Sequence, residues 1–121
     1  MQSAAQAYGT VAKQIVSPRE LEADLLLKAA SRLQTIHDAW DARRRELDDA
    51  LLYNRKLWSI FLTSVTDPDH PLPVAIRQNI ANLGLFVMKQ TVAMSIDPQR
   101  EQLDSLININ RELAAGLLGR A

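Results

Sequence analysis

The stretch SPRELEADLLLKAASRLQTIHDAW, residues 17–40, decides the fold. Ser17 can accept from the unpaired N–H groups of a helix start. Pro18 at the first helical position gives up an N–H that had no helical partner, and Glu20 can reach back to the Ser17 N–H, completing a capping box. Beyond that start, Leu21, Leu25, Ala29, Leu33, Ile36 and Trp40 recur at spacings of four, four, four, three and four. Such spacing makes one apolar helical face, which Leu26, Ala30 and His37 widen.

The same period continues downstream. Leu47, Leu51, Asn54, Trp58, Phe61 and Val65 form a second stripe, flanked by Ala50, Tyr53, Leu57 and Ile60. One helix from Pro18 to Thr66 would be a rod of about 74 Å, too long for a compact chain of this size to cover. A bend is therefore expected between Trp40 and Leu47, although no Gly or Pro marks it. Thr66–Leu72, with two prolines and two aspartates, reads as a loop. The next helix starts around Pro73, with the stripe Ile76, Ile80, Leu83, Val87, Thr91 and Met94. Its run Leu83–Met88 is apolar on nearly every side, which suits a central buried helix or one with a face reserved for a partner. Asp97-Pro98 repeats the cap-plus-proline device. The last helix carries Leu103, Leu106, Ile107, Asn110, Leu113, Ala114 and Leu117, with Gly116 and Gly119 where a stop is expected. Upstream, Ala4, Ala7, Tyr8, Val11, Ala12 and Ile15 predict a short helix over Ser3–Ile15, weakened by Gly9. The expected architecture is all-α, a single domain over residues 1–121: a bundle of four long helices plus a short N-terminal one.

Composition narrows the function classes. The 121 residues contain no Cys, and 14 Lys plus Arg balance 14 Asp plus Glu. Thiolate metal sites, disulfides and cysteine nucleophiles are thereby excluded. A neutral chain is not held to nucleic acid by bulk charge. Residues 1–13 lack the basic start and apolar core of a signal peptide. The most apolar stretch, Gln78–Met88, is 11 residues long, against about 20 for a membrane span. A cytoplasmic protein is expected.

No catalytic constellation is legible. His37 has Asp38 beside it and Asp41 one turn on, but no further His or Cys completes a metal site. His70 lies in an Asp-Pro-Asp-His loop without the ligand ladder of a calcium site. Asp48 and Asp49 are explained by the dipole of a helix start. Neither an enzyme nor a bound cofactor or metal is expected. Arg43-Arg44-Arg45, closely flanked by acids, reads as solvated surface ahead of a contact to a protein partner or RNA. The amides carry more information. Asn54 and Asn110 interrupt apolar stripes, while Asn79, Asn82 and Asn108 lie on or beside apolar faces. A buried amide must be paired. These amides either pair inside the bundle or line a groove and bond a bound peptide, and the same choice faces Tyr53, Trp58 and Phe86. The candidate partner-binding set is Tyr53, Asn54, Trp58, Asn79, Asn82, Leu83, Phe86 and Asn110.

Five blocks resemble the FlaF family of flagellar proteins: Ala5–Tyr8, Ser17–Glu22, Ala50–Trp58, Asn79–Val87 and Leu106–Glu112. Their order and spacing cover nearly the whole chain. The resemblance implies a small cytoplasmic helical protein, not an enzyme, required for flagellin synthesis and secretion. It further implies flagellin as a partner bound by an export chaperone, with FlbT, a repressor of flagellin translation, acting alongside. Regulation of flagellin translation with FlbT and the flagellin mRNA is the alternative function. A homodimer would also use the apolar surplus at Leu83–Met88.

Overall fold

The computed structural model describes residues 17–120, and among them every regular element is helical. Helix α1 spans Pro18–Asp38, α2 is the single turn Trp40–Arg43, and a 3-10 turn follows at Arg44–Glu46. Helix α3 spans Leu47–Val65, α4 Val74–Ile96 and α5 Gln102–Leu117. The all-α bundle of four long helices is as expected. The short helix expected over Ser3–Ile15 lies outside the described residues.

Helix α1 begins at the expected N-cap. Among the described residues only the Ser17 half of the capping box forms, with no bond from the Ser17 N–H to the Glu20 carboxylate. Ser17 is extended (φ −70°, ψ 160°), and its Oγ accepts from the Glu20 N–H at 3.1 Å. The helix stops at Ala39 (φ −129°, ψ 47°), one residue before the expected bend and with no Gly or Pro. The stop is held from across the bundle. Arg100 Nε donates to the His37 carbonyl at 2.8 Å, occupying an oxygen that the next helical turn would otherwise have used. The His37 ring lies between two carboxylates, with Nδ1 3.0 Å from Asp38 and Nε2 3.0 Å from Asp104. Its partners are therefore Asp38 and Asp104, and the i, i+4 pairing with Asp41 does not form.

The loop after α3 is tied by one side chain. Arg77 donates through Nε to the Leu72 carbonyl at 3.1 Å, and through Nη1 to those of Val65 at 3.3 Å and Asp67 at 3.1 Å. It thus caps the C-terminal end of α3 from within α4. Asp97-Pro98 does not start the last helix. Turn-like bonds link residues 99–104, and regular helix begins only at Gln102. At its far end Gly119 adopts φ 72°. Arg120 N–H then reaches the Ala115 carbonyl and Gly119 N–H that of Gly116, which is a Schellman stop.

Helix α1 packs most extensively on α5 and also on α3. Helix α4 packs chiefly on α3 and only lightly on α5. The expected stripe of α3 (Leu47, Leu51, Asn54, Trp58, Phe61 and Val65) is buried along its whole length. On α1 the buried face is Ala23, Leu26, Ala29, Ala30, Leu33 and Ile36. It is rotated from the expected face, so Leu21 is exposed. On α4 the seam is Ile80, Gly84, Val87, Thr91 and Met94, while Ile76 and Leu83 face outward. Gly84 is buried on this seam. A Cβ there would lie 2.5 Å from Leu62 Cδ2 and 2.8 Å from Leu62 Cγ, so any larger residue requires the Leu62 side chain to shift. Full burial of side chains such as Leu26, Leu33, Leu103 and Leu106 contributes about 1.5–3 kcal/mol each.

Candidate functional site

Three of the eight candidate residues meet inside the bundle. Trp58 Nε1 donates to Asn110 Oδ1 at 2.9 Å. Asn110 Nδ2 donates to Asn54 Oδ1 at 2.7 Å and reaches the Leu26 carbonyl at 3.5 Å. Trp58, Asn54 and Asn110 are all fully buried. The network joins α1, α3 and α5 and is closed to any partner. Assigning these three to a partner groove is therefore corrected: their polar atoms are needed by one another. Among the described residues, Asn54 Nδ2 has no hydrogen-bond partner. Trp58 also packs edge-tilted on Phe61, with ring centroids 5.8 Å apart.

Four other candidates meet on the surface. Asn79, Asn82, Leu83 and Phe86 of α4, with Ser105, Asn108 and Ile109 of α5, line an open trough of about 670 Å³. It lies between α4 and α5, which touch only lightly. Leu83 is 37% and Phe86 43% exposed, so their apolar surface is only half covered by the fold. Three amides rim the trough. Gln78 Nε2 donates to Asn82 Oδ1 at 3.1 Å. Among the described residues, the side chains of Asn79 and Asn108 make no hydrogen bond. One end of the trough is bridged by Gln90, whose Nε2 donates to the Gln102 carbonyl at 3.2 Å. From Asn79 to Phe86 the trough runs about 10 Å along α4.

Tyr53 belongs to neither group. Its ring is half-buried between α1 and α3 with the Arg32 guanidinium 5.5 Å above it. It lines a separate shallow cleft with Leu27, Ser31 and the Asp24–Lys28 ion pair. The arginine run is partly engaged within the chain. Arg43 bonds Glu46 at 3.2 Å, and the Arg44 guanidinium lies 5.4 Å over the Trp40 ring.

Ser105 and Ile109 are the trough residues the sequence reading missed. With Asn108 they recur at i, i+3 and i+4, a flanking row beside the main stripe of α5. Arg77 was missed too, because no local pattern announces a side chain that gathers three carbonyls from a loop. Among the described residues, no helix is long and apolar enough to cross a membrane.

The profile of the family described as Flagellar protein FlaF matches residues 4–117. No curated protein and no solved structure matches.

Proposed function

The chain belongs to the FlaF family and so has a role in flagellar biogenesis, and from that premise we propose that its α4–α5 trough binds an amphipathic helix of flagellin as an export chaperone. The observation that carries this reading is the convergence of Leu83, Phe86 and Ile109, framed by Asn79, Asn82 and Asn108. An amphipathic helix seats its i, i+3 or i+4 and i+7 residues in a hydrophobic groove, and a trough about 10 Å long suits two helical turns. The amides offer donors and acceptors to the polar edges of such a helix without demanding one charge pattern. A client that must polymerise later has to be released, so an open, half-exposed groove suits the task better than a closed one.

Calorimetry of the full chain with monomeric flagellin, and with flagellin lacking its terminal helices, tests this. Binding with a dissociation constant on the order of 1 µM and a negative heat-capacity change, lost on truncation and abolished by Leu83→Asp or Phe86→Asp, is expected. Both positions are surface-exposed, so both variants keep the bundle. Wild-type affinity in both variants would show that the client does not use the trough.

A further inference from the structure

The flank of α4 turned away from the trough carries an apolar strip of its own. Gln78, Ala81, Leu85, Met88, Val92 and Ser95 recur at spacings of three, four, three, four and three. That is the period with which two helices pack knobs into holes along a shared seam. Leu85 is 57% and Val92 59% exposed, and Ile96 at the end of the strip is 80% exposed. Ala81 and Met88 rest partly on the core. Leu52 of α3 stands beside Val92 and Ser95 in a shallow cleft and widens the strip. A contiguous apolar surface of this kind marks an interaction site.

We propose that a second copy of this chain covers the strip, its α4 laid antiparallel on the first. Symmetry selects this occupant. A two-fold contact needs a surface that matches itself when reversed. About an axis between Phe86 and Val87, Leu85 meets Met88 of the other copy, Ala81 meets Val92, and Gln78 meets Ser95. Long side chains thus face long ones, the smallest faces a branched one, and the polar ends face each other. A foreign helix would impose no such match. Charge points the same way. Arg77 and Lys89 are the only charges on α4, and Arg77 is committed to three backbone carbonyls. One lysine offers little to select an oppositely charged partner and little repulsion between two copies. Area sets the strength. From Val74 to Ile96 the helix is about 33 Å long and about 12 Å across, about 400 Å² in plan on each copy. With Leu52 the total approaches about 1,000 Å², the lower end for a specific interface. The dimer is therefore reversible, with a dissociation constant on the order of 10 µM. The strip and the trough are on different flanks, so this inference stands or falls independently of flagellin binding.

Sedimentation velocity of the full chain, at concentrations bracketing that constant, tests it. A monomer–dimer equilibrium with no larger species is expected, and it should change little with salt, because the contact is apolar. Leu85→Asp combined with Val92→Asp should give a monomer throughout, with the circular dichroism of wild type, since both positions are exposed. Phe86→Asp, on the trough flank, should keep the dimer. Cross-linking gives a second measurement that does not depend on the double-Asp chain folding. The chain has no cysteine, so an oxidised mixture of Ala81→Cys and Val92→Cys chains should form mainly the mixed disulfide dimer. A wild-type monomer at every concentration, a dimer that survives the folded double-Asp variant, or a dimer lost in Phe86→Asp would each overturn the proposal. So would cross-linking that is as strong within each single-cysteine population as between them.

Discussion

Asn110→Leu is the most informative perturbation of the fold. The substitution leaves the Trp58 indole N–H without its acceptor at 2.9 Å and Asn54 Oδ1 without its donor at 2.7 Å. Both groups are fully buried, so water cannot replace the lost partner. Two orphaned groups at about 1–3 kcal/mol each come to about 2–6 kcal/mol. The new apolar side chain offsets about 1–2 kcal/mol of that. A net loss of about 3 kcal/mol is expected, which for a chain of this size lowers Tm by roughly 10 °C. Thermal melts followed by circular dichroism at neutral pH read it directly.

The second substitution, Asn54→Leu, decides the cause. Added to Asn110→Leu, it removes the orphaned Oδ1 and the Nδ2 that was already unpaired, leaving only the indole N–H unsatisfied. The double variant should therefore be more stable than Asn110→Leu alone. Leucine is slightly larger than asparagine, and overpacking by itself would make the double variant worse, not better. An Asn110→Leu protein within about 0.5 kcal/mol of wild type, or a double variant less stable than the single one, would refute the network as the source of the effect.

Gly84→Ala should destabilise by about 1–2 kcal/mol, because the steric conflict with Leu62 outweighs a helix-propensity gain of about 1 kcal/mol. In a Leu62→Ala background the same change should stabilise, a reversal of sign that chemical denaturation resolves. Arg77→Ala should free the three carbonyls it gathers and open residues 66–73 to limited proteolysis, and Arg77→Lys should not restore protection, since one ammonium cannot span them. Burial raises the Glu22 carboxyl above its ordinary value, against the opposing pull of His70 and Arg19; a raised folded-state value stabilises below the unfolded value and is lost as pH rises through the folded one. Glu22→Gln should therefore be more stable than wild type at neutral pH, with the difference closing in acid. Hydrogen bonds from His37 and then Gln34 lower the Asp38 carboxyl, so its contribution is present above the ordinary Asp value and lost as pH falls through the folded one; Asp38→Asn should flatten that acid limb in a pH series of melts.

The parts of the fold written in local pattern were legible. The Ser17 cap, the α3 stripe and the Gly119 stop each depend on neighbours within one or two turns, and each stands where the pattern puts it. Faces set by a partner helix were not. On α4 the apolar period alone favoured Leu83 for the seam, yet Gly84 is buried there against the Leu62 side chain and Leu83 faces outward. The start of α5 was placed too early because Asp97-Pro98 has the composition of a cap without its bonds. In the candidate site the amide signal was real but ambiguous. Pairing inside the bundle claims Asn54 and Asn110, while Asn79 and Asn82 stay on the surface, and only the three-dimensional neighbours of each separate the two cases.

That division explains why so apolar a helix sits at the edge. The buried network ties α1, α3 and α5 together, and these helices supply most of the core. Helix α4 gives one seam to α3 and exposes apolar residues on both flanks, Leu83 and Phe86 toward α5 and Leu85, Val92 and Ile96 on the other side. A helix apolar all round is normally enclosed; leaving one at the edge raises the risk of aggregation and is stable in selection only if something covers it. Because the network does not pass through α4, changes on its exposed flanks should have little effect on folding, and under the proposed function they should weaken binding. The contrast with Asn110 is then a sharp one: Phe86→Asp should leave Tm within about 2 °C of wild type while removing the partner, whereas Asn110→Leu should lower Tm and leave partner affinity intact in the folded fraction. If Phe86→Asp lowers Tm as far as Asn110→Leu does, α4 belongs to the core and the trough is no binding surface.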